Sequence, residues 1–390
     1  MLEAALKGSK WYWLWILTLL GVIGVGFLCY LYQFISGLQV TGMSRDVSWG
    51  FYIAQLTFLV GVAAGGVMLV LPYYLHDYKA FGKVTIVGEF IAVAAVSMCM
   101  LFVLVDLGQP LRMLNLFLHP TPNSVLLWDA TVLSVYLLLN IVIGWKVIEA
   151  ERNGVAPPMW VKPLIYISIP WAFTIHTVTA FLYCGLPGRG FWLTAILAPR
   201  FLASAFAAGP AFVILVCFIL KRFTEFDTGK TAIQTLAKIV TYALIANVFF
   251  MLCEVFVVFY SQIPEHMDHF KYLYWSDGIL VPWMWASVAL MVTGIILLVN
   301  PITRKNEFIL GITCVVIFIG TWIDKGMGLI SGGFVPSPLH HYHEYCGVSK
   351  IKTVFGRKGL IHIWMRPFLL FLIQVLQFFL DKIIGKLDII

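Results

Sequence analysis

Long apolar runs alternate with short polar segments along this chain. Ten of these runs, each about 20 residues or longer, are predicted to be helices: 11–36, 49–75, 84–107, 124–148, 162–185, 201–221, 234–262, 281–299, 307–330 and 365–383. An apolar helix of about 20 residues crosses the hydrocarbon core of a bilayer. Because backbone groups that face lipid must be hydrogen-bonded internally, the pattern predicts an all-α, polytopic membrane helix bundle with about ten transmembrane helices.

Two of the runs contain similar strings of small residues, "FLVGVAAGGVMLV" and "FLASAFAAGPAFVIL". Small residues let membrane helices approach closely. Two related four-helix bundles, at 49–200 and 201–345, would explain the similarity, although such strings are also common in unrelated membrane helices. Residues 1–48 are then an N-terminal helix with an outer loop. Residues 346–390 are a C-terminal segment whose apolar run is a transmembrane helix, an interfacial helix or a divergent tail.

Composition supports a membrane location and argues against several other classes. Only 12% of the residues are charged and 61% are hydrophobic, whereas ordinary globular proteins have about 25% charged residues. The net charge of +7 comes from cations that flank the apolar runs, so it does not indicate nucleic-acid binding. Neither C-x-x-C nor C-x-x-C-H occurs among the seven cysteines. We therefore expect neither an iron–sulfur cluster nor covalent haem in this chain.

Histidine placement predicts neither b-type haem nor a metal site. Transmembrane haem needs two axial histidines at similar depth, and His176 alone lies well inside a predicted span. The cluster of His340, His341, His343 and Glu344 has ligand-type side chains but no second anchoring motif. We interpret it as a surface that meets a partner.

The distribution of basic residues predicts the orientation. Most Lys and Arg lie in the N-terminal segment, in the loops after the even-numbered runs and in the C-terminal tail. Since basic loops stay on the cytoplasmic side, we expect a multi-pass protein of the cytoplasmic membrane with a cytoplasmic N-terminus. The loops 107–123, 186–200 and 331–345 are then extracytoplasmic.

The densest polar stretch among the apolar runs is "DLGQPLRMLNLFLHPTPNSVLLWD", residues 106–129. A quinone headgroup needs hydrogen-bonding groups at both oxygens, a proton acceptor and an apolar slot for its tail. Asp129 and His119 are the candidate catalytic residues for the proton chemistry, and Arg112 can polarise a carbonyl or hold a carboxylate ionised. In the alternative, structural interpretation, Asp106 caps the loop and pairs with Arg112.

Ionisable residues inside the predicted spans are further candidates, because a charge near the bilayer centre is costly. Glu89 and Glu254 are predicted to contribute to a proton path, or else to bond only to neighbouring groups. His176 faces the quinone or is a satisfied core histidine. Adjacent helical residues do not face each other, so we expect Asp324 and Lys325 to pair elsewhere. Asp324 joins the candidate proton path, and Lys325 is interpreted as structural.

Four blocks resemble the membrane subunits of the polysulfide-reductase, or NrfD-like, family, and especially its DsrP and Hme branches from sulfate-linked and menaquinol-oxidising complexes. The blocks are "SWGFYIAQLTFLVGVAAGG", residues 106–129, "FTIHTVTAFLYCGLPGRGFWLTAILAPRFLASAFAAG" and "WIDKGMGLISGGFVPSPL". The resemblance implies a quinone-binding site near the outer face, with menaquinone as the quinone. The matching positions are Arg112, Asn115, His119, Trp128, Asp129, His176 and Arg200.

The resemblance also implies partners. An iron–sulfur, ferredoxin-like subunit would dock on the outer face, with further redox subunits of the cytochrome b, cytochrome c and heterodisulfide-reductase-like types. The chain would then be one component of a quinone oxidoreductase complex, with no complete active site for a soluble substrate. The main alternative is a secondary transporter, which buried carboxylates and interrupted helices also suit, but transporter sites are expected near the midplane.

Overall fold

A computed structural model describes residues 10–41, 43, 49–75, 78–155, 157–186, 189–223, 226–275 and 280–329. The chain divides into two units. One contains Met1–Ser48 together with His341–Ile390, and the other is Trp49–His340. The predicted helix 365–383 and the histidine cluster at 340–344 lie outside the described residues.

The first unit contains a single long helix in its described part, α1, Lys10–Ser36. Gly37 ends this helix with φ +80°, and its N–H donates to the carbonyl of Gln33 at 2.7 Å. A residue in this left-handed conformation just after a helix is usually glycine, because it has no Cβ. A short 3-10 turn, Leu38–Thr41, follows.

The second unit contains eight long helices in its described part, at the positions that the hydrophobic pattern predicts. They are α2 (Phe51–Leu75), α3 (Gly82–Asp106), α4 (Val125–Asn153), α5 (Val161–Cys184), α6 (Leu197–Phe223), α7 (Lys230–Tyr260), α8 (Val281–Val299) and α9 (Glu307–Trp322). Helix α6 begins four residues before the predicted start, since Pro199 is tolerated in a first helical turn. Helix α9 continues as a π-helical turn, Ile323–Gly328, which the sequence pattern does not reveal.

Eight helices in the described part of the chain are long and apolar enough to cross a membrane. They include α1 and every long helix from α3 to α9, and α2 adds a shorter apolar stretch, Phe51–Gly66. The secondary structure of the described residues is helical, without strands. The prediction of an all-α, polytopic membrane protein is confirmed.

Helix α2 lies at the centre of the second unit, where it packs against α3, α5, α6 and the π-helical turn. The two similar small-residue strings pack against each other here. A Cβ added to Gly65 would lie 2.4 Å from the Cα of Gly209, so no larger residue fits without moving a backbone. The division into bundles at residue 200 stays a prediction.

The two ends of this bundle carry different polar groups. At one end, which we call the Arg200 end, the start of α6 meets the last turns of α7 and the π-helical turn. A 3-10 turn, Gly190–Trp192, and a short helix, Pro264–Tyr274, pack there. At the opposite end the last turn of α6 meets the start of α9 through an exposed ion pair, Lys221–Glu307, at 3.0 Å.

Candidate functional site

A cleft opens at the Arg200 end. Its volume is about 510 Å³, open mouth included. Aromatic and aliphatic side chains form most of the wall, and five polar side chains, those of Arg200, Ser204, Glu254, Asp324 and Lys325, contribute to it together with the Tyr274 ring. An apolar wall with a few convergent polar groups is typical of sites for small organic molecules.

Arg200 joins two carboxylates from different helices at this cleft. One guanidinium nitrogen donates to Oε2 of Glu254 on α7, and the other donates to Oδ1 of Asp324 at 2.7 Å. The side chains are 15%, 6% and 4% exposed, in the order Arg200, Glu254, Asp324. We call these three residues the Arg200 triad. The sequence separates them by up to 124 positions, yet the fold brings them together.

The triad is unbalanced in charge, because two carboxylates share one guanidinium. With all three ionised it carries one net negative charge. Buried ions are costly unless they are paired and hydrogen-bonded, and the planar guanidinium can serve two carboxylates at once. A further positive charge nearby would compensate the triad, and Lys325 is close enough to interact with both Asp324 and Arg200.

Lys325 is buried and makes contacts that differ from those of its neighbour Asp324. Its Nζ lies 2.9 Å from Nε2 of His176 and 3.4 Å from the carbonyl oxygen of Phe201. It also lies 4.4 Å from the centre of the Phe201 ring, within the range of a cation–π contact. His176 is fully buried and is not among the residues that line the cleft, so its predicted contact with the quinone stays a prediction.

Asp324 and Lys325, the two adjacent residues with different partners, both lie in the π-helical turn. π-helical turns are rare and are often found at functional sites. Two tryptophan side chains form hydrogen bonds at the ends of this turn. Nε1 of Trp192 donates to the carbonyl of Leu329 at 3.0 Å, and Nε1 of Trp322 donates to Oε1 of Gln55 on α2 at 2.9 Å.

Tyr274 brings a phenol to the same cleft from the end of the short helix Pro264–Tyr274, outside the membrane-spanning segments. Burial and the negative charge of Asp324 raise the pKa of Tyr274 above its ordinary value. The phenol therefore stays protonated at neutral pH and is available as a hydrogen-bond donor. No motif or spacing in the sequence points to this residue.

Asp129 lies on α4 in a different buried setting. Its Oδ1 is 2.7 Å from the hydroxyl of Thr179 on α5, which can donate to it. Thr179 is three residues from His176, so the two are neighbours on one helical face. Asp129 is buried, but it does not line the cleft described above.

The other predicted residues of the loop after α3 are exposed. Arg112, Asn115 and His119 all lie at the surface of the structure. Trp128 is 53% exposed, and its Nε1 donates to the carbonyl of Pro122 at 2.8 Å. The structure therefore does not bring His119 and Asp129 into one enclosed pocket, and their catalytic roles stay predictions.

Two further carboxyl groups each have one enclosed oxygen without a hydrogen-bond partner among the described residues. One oxygen of Glu89 and one of Asp106 are in this state. Both Asp106 and Arg112 are described, and they form no ion pair with each other, contrary to the structural alternative. Glu89 is buried at the start of α3, close enough to Tyr136 on α4 to interact electrostatically with it. Its part in a proton path stays a prediction.

Metal ligands do not converge in the described part of the chain. No three His, Cys, Asp or Glu side chains there are grouped so that they could hold a metal ion. The six described cysteines are free thiols. The sequence-based expectation that the chain carries neither haem nor an iron–sulfur cluster stays a prediction.

Comparisons with known proteins place these features in a family. A protein provisionally named as a membrane subunit of dimethyl sulfoxide reductase, from Halobacterium salinarum, is 26% identical over 83% of this chain and 77% of its own length. The Hdr-like menaquinol oxidoreductase integral membrane subunit of Archaeoglobus fulgidus is 22% identical over 75% and 72%. The menaquinone reductase integral membrane subunit of Nitratidesulfovibrio vulgaris is 24% identical over 79% and 78%.

The family profile described as "Polysulphide reductase, NrfD" matches residues 39–332, which include the whole Arg200 triad and Lys325. That match covers most of the chain. The protein therefore belongs to the NrfD family of membrane proteins.

Proposed function

We propose that this chain is the quinone-interacting membrane subunit of a redox complex, with menaquinone or menaquinol as its substrate. The observation that carries the proposal is the cleft at the Arg200 end, where buried polar groups converge in a largely apolar wall. Two relatives named for menaquinol or menaquinone chemistry support the choice of substrate.

The residues of the cleft fit a quinone headgroup by their chemistry. Lys325 and Tyr274 offer donors to a carbonyl oxygen, and the carboxylates of the Arg200 triad can accept from a hydroxyl. Phe191, Trp192 and Phe201 supply flat apolar surface for the ring. The ring exchanges two electrons and two protons when the quinone and quinol forms interconvert, so a site for it needs both hydrogen-bonding and proton-accepting groups.

Proton movement is assigned to the ionisable residues around the cleft. We propose that Glu254 and Asp324 accept or deliver protons at the cleft and that Glu89 serves the far side of the bundle. Asp129, through Thr179, lies one helical turn from His176 and extends the polar region toward the loop after α3. His119, Arg112, Asn115 and Trp128 are proposed to act at the entrance, since they are exposed near the end of α3 and the start of α4.

The chain holds no electron carrier that its sequence identifies, so the electrons need a partner. We propose an iron–sulfur subunit docked on the extracytoplasmic side, at the Arg200 end, with further redox subunits beyond it. Relatives named as subunits of reductases and oxidoreductases support the presence of partner subunits. We propose a DsrP-like role in sulfur- or sulfate-linked anaerobic respiration as the physiological setting.

Filling the cleft tests the proposed substrate site. Ser204→Leu adds a larger side chain at a buried position that lines the cleft, and it leaves the charged groups in place. We expect the purified complex to lose affinity for a menaquinol analogue and to co-purify with less menaquinone. Ser134→Leu is the matched control, because Ser134 also donates to a carbonyl of its own helix, but on α4 away from the cleft. Equal quinone binding in both variants and the wild type would contradict the proposal.

Thiol labelling tests the orientation. Single cysteines at Leu111 and at Leu193, in a background without native thiols, should react with a membrane-impermeant maleimide in intact cells. Both residues are exposed, so burial would not prevent the reaction. Labelling of both positions only in inverted vesicles would reverse the proposed topology.

A further inference from the structure

Lys325 is a buried lysine with no carboxylate in ion-pair distance among the residues that the structure describes. Its immediate contacts are an imidazole nitrogen, a backbone carbonyl and an aromatic ring. Removing a charge from water without a paired ion is costly. The side chain nevertheless lines the cleft. A lysine with a purely structural role would have little reason to reach a ligand site through such contacts.

Small residues on the surrounding helices leave space for the amine of Lys325. A Cβ added to Gly61 on α2 would lie 3.2 Å from the Nζ of Lys325 and 3.4 Å from the Cβ of Ala205 on α6. The absence of side chains larger than glycine and alanine at these two places leaves the space that the amine occupies. The charged and titratable groups that face Lys325 are Asp324 and Arg200 on the cleft side, His176 on α5 and Cys99 on α3.

The hydrogen bonds of His176 favour one tautomer. Its Nε2 lies 2.6 Å from the carbonyl oxygen of Phe201 and 2.9 Å from Nζ of Lys325. A carbonyl oxygen can only accept, so Nε2 carries the hydrogen and donates to Phe201. Nδ1 is enclosed without a hydrogen-bond partner among the residues that the structure describes, so it carries no hydrogen. An added proton on this pair therefore goes to Nζ of Lys325, which reaches the Phe201 carbonyl and the face of its ring.

We propose that Lys325, held in place by His176, is a proton carrier that exchanges one proton with the substrate in the cleft. The inference rests on the proposed quinone site. In quinol oxidation the O–H bond at one ring oxygen breaks, and its proton forms an N–H bond on the neutral amine of Lys325. The second ring proton leaves through the mouth of the cleft. The two electrons pass, one at a time, to a one-electron centre in the partner subunit.

Two neighbours favour the charged state of the carrier. The Asp324 carboxylate stabilises the ammonium, against the opposing charge of Arg200, and the Phe201 ring does so through the cation–π contact. Desolvation by the surrounding helices favours the amine. Two opposing influences of this kind allow the protonation state to follow the state of the substrate. Lys325 thus has a catalytic role, and His176 is a positioning residue, since its Nε2 contacts both Nζ and the Phe201 carbonyl.

Proton counting tests the proposal without turnover. The full-length chain in lipid nanodiscs is titrated with 2-heptyl-4-hydroxyquinoline N-oxide, a quinol analogue, by calorimetry in buffers of different ionisation enthalpy. We expect the number of protons exchanged on binding to change with pH in the wild type. Lys325→Arg should bind the analogue but lose that pH dependence, because the guanidinium stays protonated. Equal proton exchange at every pH in the wild type and Lys325→Arg would overturn the proposal.

Two glycine substitutions extend the test to variants that keep Lys325. The Cβ added by Gly61→Ala would lie 3.2 Å from Nζ of Lys325, whereas the Cβ added by Gly144→Ala would meet nothing within 4 Å. We expect Gly61→Ala to shift the pH dependence of proton exchange and Gly144→Ala to leave it unchanged. Identical pH dependence in the two variants would count against a carrier at Lys325. Failure of the wild type to bind the analogue at all would instead remove the quinone site on which the inference rests.

Turnover supplies a third measurement. Lys325→Met should lower quinol oxidation by roughly 10²–10⁴-fold in the assembled complex, the usual scale for loss of a general acid or base. Lys325→Arg should be impaired to a similar degree, since it keeps the charge but cannot release a proton. Full activity in Lys325→Arg would show that the charge alone matters and would contradict the proton carrier.

Discussion

The cleft at the Arg200 end and the loop between α3 and α4 contain similar polar residue types in opposite settings. In the cleft, Arg200 is enclosed by Glu254 and Asp324 from two other segments. In the loop, Arg112 and His119 are close in sequence and exposed. Under the proposed function, the comparison teaches that local density of polar residues is a weaker guide to a membrane site than the convergence of isolated ones. A single charge inside an apolar run must find a partner from another helix.

Asp129 links the two regions. It lies near the loop in sequence, yet its carboxylate is buried against Thr179. It therefore shares the chemistry of the cleft residues more than that of the loop. Variants of the two regions should consequently separate into a severe class and a mild class.

The largest effect is expected from Arg200→Gln. This change leaves Glu254 and Asp324 buried without their shared cation, and breaking a buried ion pair from one side costs about 3–5 kcal/mol. We expect poor assembly and a large fall in the thermal midpoint of unfolding. Lys221→Gln, at the exposed pair with Glu307, should cost about 0–1 kcal/mol, and equal losses in both variants would remove the distinction between the two ends of the bundle.

Asp129→Asn should lower quinol oxidation by roughly 10²–10⁴-fold while the complex still assembles, because the amide keeps the shape but cannot take up a proton that leaves the cleft past His176 and Thr179. His119→Gln should have a smaller effect, since water can replace an exposed imidazole. Arg112→Gln should weaken quinone binding or partner docking instead of proton transfer. Steady-state oxidation of a soluble menaquinol analogue, with partner co-purification as the control, measures all three. A larger loss in His119→Gln than in Asp129→Asn would reverse the ranking of the two regions.

Gly65→Ala tests the helix contact that supports the cleft. The new Cβ would overlap the backbone of Gly209 on α6, the helix that carries Arg200. Overpacking typically costs about 1–3 kcal/mol, so we expect a lower thermal midpoint and weaker analogue binding. Gly144→Ala is the matched control on an open surface. No difference between the two variants would show that α2 and α6 can separate freely.

The smallest effect is expected from Trp192→Phe. The change removes the hydrogen bond from Nε1 to the carbonyl of Leu329 and keeps most of the ring. Loss of one such bond costs about 0.5–1.5 kcal/mol, or more if the carbonyl is left buried and unpaired. Thermal unfolding measures this loss, and analogue affinity should fall modestly because Leu329 lines the cleft. A gain in stability would contradict this view of the hydrogen bond.

The helices of the second unit follow from the hydrophobic pattern, because spans in lipid require a long apolar helix. Arg200, Glu254 and Asp324 are each candidates from the sequence, through their position in or beside an apolar run or through the family resemblance. Their contacts with one another are not predictable, since one sequence does not reveal which helices are neighbours. The sequence favours a structural interpretation of Lys325 for the same reason: its contact with His176 joins two helices, and it lies in the space beside Gly61 of a third.

The most direct measurement is covalent mapping of the quinone site. An azido-menaquinone is photolysed with the assembled complex in nanodiscs, and the labelled peptides are identified by mass spectrometry with and without excess menaquinol. We expect labelling that menaquinol suppresses at the cleft, in peptides that contain Phe201, Tyr274 or Met284. Suppressible labelling confined to residues 107–123, with none at the cleft, would contradict the proposed site and would assign the quinone to the loop.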